Sequence, residues 1–408
     1  MNLPFTLTEM INAGKSPTGG TDRAVAGEDS LSAGASENRS AAAILPMSRE
    51  EMHSLGREEC DFVIVTGDAY IDHPSFGAAV IGRVLEAAGY RVGIIAQPDW
   101  RNAEALQLLG RPRLAFLITS GNMDSMVNHY TAAGKLRHDD AYTPGGRHGR
   151  RPDRAALVYS QLARSAYKGV PVILGGIEAS LRGLAHYDYW SNKLRKSLLP
   201  DAKADLIVYG MAERTIVRIA YLLHAGEPLS RLRELRGVVY RISQKEWDEA
   251  QRSGEQVGEG QKPGGREGEG QAPGEPGRSG ERFSLKFLPS FEELESSGES
   301  FARGFALQLK NADPHSGKAL VEQYDRQYVV KNPPDFPLER EELDTVYELP
   351  YTRRPHPSYT EAIPAFDEVR FSLVSSRGCF GGCTFCALTF HQGRIVQGRS
   401  HESLTREA

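Results

Sequence analysis

Cysteine is scarce in this 408-residue chain: four residues, too few for a disulfide scaffold. No apolar run approaches the roughly 18 residues that a membrane-spanning helix needs. The first residues, Met1-Asn-Leu-Pro-Phe5, lack the basic start and apolar block of a secretory signal. Charge of one sign is not in excess either. Lys and Arg number 49 against 53 Asp and Glu, a formal net charge of −4, so no broad basic field exists to draw in nucleic acid or anionic lipid. These absences point to a reducing cytoplasm, where clustered Cys more often bind metal than pair with each other. The remaining composition is that of a globular chain, with 40% apolar and 25% charged residues, at a length that suits two or three domains.

Two stretches carry almost no large apolar side chain. Residues 14–43 are rich in Gly, Ser, Ala and charge. Ser253–Arg282 holds ten Gly in thirty residues. Neither can offset the entropy of ordering, so both are expected to be disordered. Between them the pattern alternates strand and helix. Apolar runs at 61–66, 91–96, 113–118, 170–174 and 204–209 read as strands covered on both faces. Helices fit at 74–89, 102–110, 153–168 and 211–225. Repeated βα units predict an α/β fold built on an open parallel sheet, with ligands beyond the C-terminal strand ends. Residues 284–368 are Pro-rich and read as a connector with one helix at 300–309. Val369–Val374 reads as a further strand. The expected division is 1–43, a largely disordered N-terminal segment; 44–250, the α/β domain; 251–283, a Gly-rich insertion; 284–368, the connector; and 369–408, the start of a second core.

That last segment carries the chemistry. Cys379, Cys383 and Cys386 lie within eight residues, spaced C-x3-C-x2-C. Gly381-Gly382 ease the bend that turns three thiols toward one centre. Three thiolates are one short of closing a tetrahedral zinc site or a fully ligated cubane. A 4Fe–4S cluster on three Cys leaves one iron open to an external ligand. Zinc would need a fourth ligand, for which His391, His401 and Cys60 are available. Zinc sites favour paired C-x2-C knuckles, and this chain has one such step. Cys60, just before the first strand, reads as a buried unpaired thiol.

The spacing resembles the radical S-adenosylmethionine (SAM) superfamily. Further stretches extend the resemblance to the YgiQ family of radical SAM proteins. They are Gly67-Asp-Ala-Tyr-Ile-Asp-His-Pro-Ser-Phe-Gly77, Ser120-Gly-Asn-Met-Asp-Ser-Met-Val-Asn-His-Tyr130, Gly175-Gly-Ile-Glu-Ala-Ser180, His186-Tyr-Asp-Tyr-Trp190 and Arg377-Gly-Cys-Phe-Gly-Gly-Cys-Thr-Phe-Cys-Ala-Leu388. The resemblance implies a Rossmann-like, cobalamin-binding-domain-like parallel sheet, followed by the first βα element of an incomplete partial TIM barrel. It implies a 4Fe–4S cluster on Cys379, Cys383 and Cys386, SAM chelated at the open iron, and Phe385 near the adenine. Arg399-Ser400-x-Glu402 resembles the segment that opens the barrel's first helix. An electron donor such as a flavodoxin or ferredoxin is implied, together with an unknown substrate. Ser376 stands where the family pattern has His. The cobalamin pattern D-x-H-x-x-G is not met, because Asp72 and His73 are adjacent, so the fold is expected without cobalamin.

Polar residues at the strand ends are Asp68, Asp72, His73, Asn122, Asp124, Asn128, His129 and Glu178. They read equally as a substrate rim or as turn and cap residues. Tyr187, Tyr189 and Trp190 read as packing residues or an aromatic wall. The Arg147–Arg154 run reads as a solvated loop or as a contact for a phosphate or an acidic partner. Only 22 residues follow Cys386, fewer than a barrel needs. The chain is therefore expected to be truncated within that core, to capture iron without cleaving SAM, and to leave Phe371, Leu373 and Ile395 without partners in a poorly ordered C-terminal segment. The competing reading is a partner-binding α/β module with a sensory or vestigial cluster.

Overall fold

The computed structural model describes residues 6–14, 43–253 and 283–408. The two stretches expected to be disordered lie outside the described residues except at their outermost positions. Strands β1 (Phe62–Thr66), β2 (Val92–Ala96), β3 (Ala115–Thr119) and β4 (Val172–Leu174) form where the apolar runs predict them. A small separate hairpin, β5 (His186–Asp188) with β6 (Lys193–Arg195), precedes β7 (Leu206–Val208). Strands β1, β2, β3, β4 and β7 pair in parallel in the order β2-β1-β3-β4-β7.

Burial follows the pleat. Phe62 and Ile64 pack on one face with the helices Gly77–Ala87 and Glu213–His224. Val63 and Val65 pack on the other with the helix Ala155–Ala166. Because both faces are covered, every residue of β1 is buried and the strand reads as an unbroken apolar run.

The sheet does not stop at β7. Strand β8 (Val238–Ser243) joins it antiparallel, and three strands from the expected connector follow: β9 (Leu285–Phe287), β10 (Ala319–Tyr324) and β11 (Gln327–Lys331). Among the described residues the order is β2-β1-β3-β4-β7-β8-β11-β10-β9, nine strands in one sheet. β10 and β11 turn through Asp325-Arg326, with Asp325 at φ 45°. The N-terminal segment is also built in part. The helix Leu7–Gly14 buries Leu7, Met10 and Ile11 completely, and Glu342 accepts the Leu7 N–H at 2.6 Å.

One expected strand is absent. Val369 ends a helix, Pro364–Val369, with Pro at its first position. Residues 370–374 have no ladder partner, and Phe371 is almost fully exposed. The strands here are shorter: β12 (Ser376–Arg377) pairs antiparallel with β13 (Gln397–Gly398). Among the described residues, no helix is long and apolar enough to cross a membrane.

Leu320 on β10 is 2% exposed and packs in the same core as Val63 and Ala155. Leu320→Ala is expected to cost about 2–5 kcal/mol, read as a lowered guanidinium midpoint of the whole domain. A near-neutral effect would mean that residues 285–331 are a loose connector and not part of the sheet.

Candidate metal centre

The cysteine segment is a loop closed at its base by backbone. Ser376 and Arg377 pair with Gly398 and Gln397. Gly378, at φ 86°, lies so close to residue 395 that a Cβ would meet the Ile395 carbonyl oxygen at 2.1 Å, so only glycine fits. The Gly378 N–H donates to Gln392 Oε1 at 3.0 Å, and Cys379 N–H to the Gly393 carbonyl at 3.1 Å. Cys386 N–H closes a turn onto the Cys383 carbonyl at 3.1 Å.

A Cβ on Gly381 would lie 3.2 Å from Cys379 Sγ and 3.9 Å from Cys383 Sγ. The missing side chain thus keeps open the space between two of the three sulfurs. Cys379 and Cys386 are half-buried and Cys383 is exposed. The sulfurs share one loop without yet sharing one point: among the described residues, no three His, Cys, Asp or Glu side chains stand together as a metal group. The donor set, three free thiols around a cradle that a Cβ would fill, fits a thiolate-bound iron–sulfur group.

The loop is seated on the sheet's C-terminal edge, where ligands of parallel sheets gather. Its short helix Leu388–His391 packs on the helix Gly176–Leu181 that follows β4. Ser180 Oγ lies 3.0 Å from His391 Nδ1 and accepts the Gly210 N–H at 3.1 Å, just beyond β7. Arg377 is buried and pairs with Glu213 at 2.5 Å, at the start of the helix after β7. The Phe390 ring stacks 5.6 Å from Phe305. A helix opens at His401, where Ser400 accepts the Ser403 N–H at 3.0 Å. That helix is held by Glu407, which pairs with both Arg353 and Arg399.

Phe371, Leu373 and Ile395 are exposed, as the sequence suggests. Ion pairs and backbone bonds hold the segment in their place. Phe380 and Phe385 also stand almost fully in solvent beside the cysteines. Cys60 lies at the other end of β1, against Met52 Sδ at 3.7 Å, and burial pushes its thiol up to about 11. It is too far round the sheet to ligate with the loop. His391 is engaged with Ser180, and His401 is exposed on the last helix.

The polar strand-end residues do not form one open rim. Asp68, Asp140 and the Ser120 carbonyl all hold the buried Arg151, at 2.9, 3.1 and 3.0 Å. Asp72 pairs with the buried Arg83 and accepts the Thr352 N–H at 2.9 Å. His73 accepts the Ser75 N–H through Nδ1 and faces Arg353 through Nε2, which makes it a loop residue, and burial pushes it down to about 4. Asn122 fixes the loop by donating to the Ser75 carbonyl at 3.0 Å. Asp124 caps the helix Ser125–His129. Glu178 accepts the N–H groups of Ser125 and Ala156. Most of the set is therefore cap and ion-pair chemistry. The Arg147–Arg154 run is likewise paired and not simply solvated: Arg147 with Glu361, Arg151 as above, Arg154 with Asp188. Tyr187 and Tyr189 are exposed, and Trp190 packs 5.2 Å from Tyr189 and 5.5 Å from Tyr130. The seat made by Glu213, Ser180 and His391 was not read from sequence. The one available signal was Gly175-Gly-Ile-Glu-Ala-Ser180 at a strand end.

The family model described as Radical SAM N-terminal matches residues 44–372. A UPF0313 protein of Bradyrhizobium diazoefficiens is 51% identical over 372 residues, covering 90% of this chain and 53% of the relative. A UPF0313 protein of Clostridium botulinum is 47% identical over 369 residues, covering 89% and 52%. The chain thus spans about half the length of the curated relatives it matches. Among solved structures, the radical S-adenosylmethionine methyltransferase TsrM from Kitasatospora setae aligns with a TM-score of 0.30 at 15% identity, over 44% of this chain and 28% of that one.

Burial pushes the His391 imidazole down to about 4, with the Arg377 charge acting in the same direction and Glu213 opposing it. The unfolded imidazole takes up its proton near 6.5, so between about 6.5 and about 4 the unfolded state binds more protons and folding weakens as pH falls. His391→Gln is expected to flatten the stability–pH curve in that window relative to the unsubstituted chain, with no change above pH 7. Chemical denaturation at stepped pH measures it. Parallel curves would show that His391 is not buried against Ser180.

Proposed function

We propose, from the premise that the chain belongs to the Radical SAM N-terminal family, that Cys379, Cys383 and Cys386 hold a 4Fe–4S cluster that binds SAM. The observation that carries the proposal is a loop of three free thiols, closed at its base and seated on the C-terminal edge of a parallel sheet. Cys379, Cys383 and Cys386 would hold three of its irons, and once reduced by an external one-electron donor the cluster would supply the reductive cleavage of SAM.

The chain's own residues do the placing. Cys379 sits at the pinned base of the loop, and Cys383 and Cys386 lie toward its tip. Arg377, buried on Glu213, and His391, on Ser180, fix the two ends of the loop against the sheet. Phe385, 91% exposed beside Cys386, is the residue that the resemblance puts near the adenine. An electron donor of the flavodoxin or ferredoxin class, acting in a reducing cytoplasm, completes the reading. The substrate belongs to the whole protein.

Anaerobic reconstitution of this chain with iron and sulfide is expected to give about four irons per chain and a brown chromophore, both lost on Cys379→Ala, Cys383→Ala or Cys386→Ala. In a full-length relative, SAM is expected to change the EPR spectrum of the reduced cluster. A cluster indifferent to SAM would favour the sensory module. A colourless protein with one zinc would overturn the cluster itself.

A further inference from the structure

A second group of donors lies away from the cysteine loop, on the residues that follow β3. His129 ends the helix Ser125–His129 and is 3% exposed. Its Nδ1 lies 2.7 Å from Asp153 Oδ1, and Tyr130 donates its hydroxyl to Asp153 Oδ2 at 2.9 Å. A carboxylate only accepts hydrogen bonds, so Nδ1 carries the proton and Nε2 presents its lone pair. That Nε2 is buried and has no partner among the described residues.

A second imidazole faces it. The His148 ring lies 4.9 Å from the His129 ring, centroid to centroid, inclined at 60°, and its Nε2 is also buried without a partner. Two buried ring nitrogens left without partners are costly. The loop that brings them together is built to keep them there. Asp139 bridges to Arg147 immediately before His148, and Arg151 just after it is locked by Asp68 and Asp140. The Arg137 N–H donates to the His129 carbonyl at 2.8 Å.

We propose that His129 and His148 bind a divalent transition metal of the zinc class through their Nε2 atoms, with Asp153 orienting His129. Imidazoles that share such an ion at about 2.0–2.1 Å hold their ring centroids roughly 5 Å apart, which is the spacing seen. The Asp153–His129 bond is the carboxylate–imidazole arrangement that fixes the tautomer of a metal-ligating histidine and raises its basicity. Among the described residues, no third His, Cys, Asp or Glu completes the set. The remaining positions therefore fall to water or to a substrate oxygen or nitrogen, which makes the site an open one. Trp190 and Tyr189 stand beside Tyr130 as an aromatic wall to the same region. This site uses no residue of the cysteine loop and stands whether or not the cluster does.

The test removes the competing thiols first. In the full chain carrying Cys379→Ala, Cys383→Ala and Cys386→Ala, titration with Co²⁺ followed by visible absorption, and with Zn²⁺ by calorimetry, is expected to show one saturable ion per chain. His148→Gln, at a half-buried position, is expected to weaken it at least tenfold. Asp153→Asn is expected to weaken it about 10–100-fold while the thermal melt without metal stays within a few degrees. Cu²⁺ EPR of the thiol-free chain, with both histidines in place, is expected to report two imidazole nitrogens, a readout that does not depend on any histidine variant folding. Absence of saturable uptake, uptake unchanged by His148→Gln, or fewer than two nitrogens would overturn the site and leave a structural histidine pair bridged by solvent.

Discussion

The placement of the cysteine loop depends on one buried ion pair. Arg377 precedes the first ligand-type cysteine by two residues, and its partner Glu213 opens the helix after β7. A pair of this kind adds little stability over apolar packing, because desolvating both charges consumes the attraction between them. Here the satisfaction is also incomplete: Arg377 Nε and Nη2 and Glu213 Oε2 have no partner among the described residues. What the pair supplies is position. An apolar contact at the same place would tolerate sliding, whereas a guanidinium buried on a carboxylate has one register. That register puts Gly378 against the Ile395 carbonyl, while His391 meets Ser180 beyond β4.

The same device recurs along the C-terminal edge of the sheet. Arg151 ties the loop after β1 to the loop after β3 through Asp68 and Ser120. Arg83 ties a helix to the Asp72 turn and through it to Thr352. Arg214 reaches Glu342, which in turn accepts the Leu7 N–H and anchors the N-terminal helix. Directly or through a shared carboxylate, these bonds join segments far apart in sequence where the strands have already ended and sheet hydrogen bonds no longer help. The helix Gly176–Leu181 has a special place among them. Its Glu178 holds Ser125 and Ala156, whose helices lead to His129 and away from Asp153, while its Ser180 meets His391. One short helix therefore touches the supports of both donor groups.

How much of this could be read from sequence depends on whether the signal was local. The five parallel strands were legible because burial on both faces leaves continuous apolar runs such as Phe62-Val-Ile-Val-Thr66. The cysteine spacing was legible because three donors in one short loop need no tertiary information. Strands β9 to β11 were not, since β10 carries Glu322 in a buried place and turns to β11 through Asp325-Arg326, without the Asn-Gly or Asp-Gly that marks a tight hairpin. Val369–Val374 misled because an apolar run is a strand only when a neighbour offers a ladder, and Pro364 instead starts a helix that ends on Val369. The helix Leu7–Gly14 was overlooked although Leu7, Met10 and Ile11 have the i, i+3, i+4 spacing of a buried stripe. In the Arg147–Arg154 run nothing in Arg150-Arg151 says which of the two is buried, and only Arg151 is.

The uneven exposure of the three thiols has a physical sense of its own. Cys379 is tied to the loop base through its N–H, whereas Cys383 stands in solvent and Cys386 is bonded only to the turn it shares with Cys383. Fixing a residue's backbone costs about 1–2 kcal/mol, and for the base of the loop that cost is met during folding by β12, β13, Gly378 and the Glu213 pair. Only the tip, 380–386, is left to gather, and two of its residues, Gly381 and Gly382, place no Cβ in the way. Metal and cluster sites couple ligand binding to local ordering. A base built in advance would confine that ordering to a few residues if the three cysteines hold the proposed cluster. The exposed rings of Phe380 and Phe385 flank the same tip.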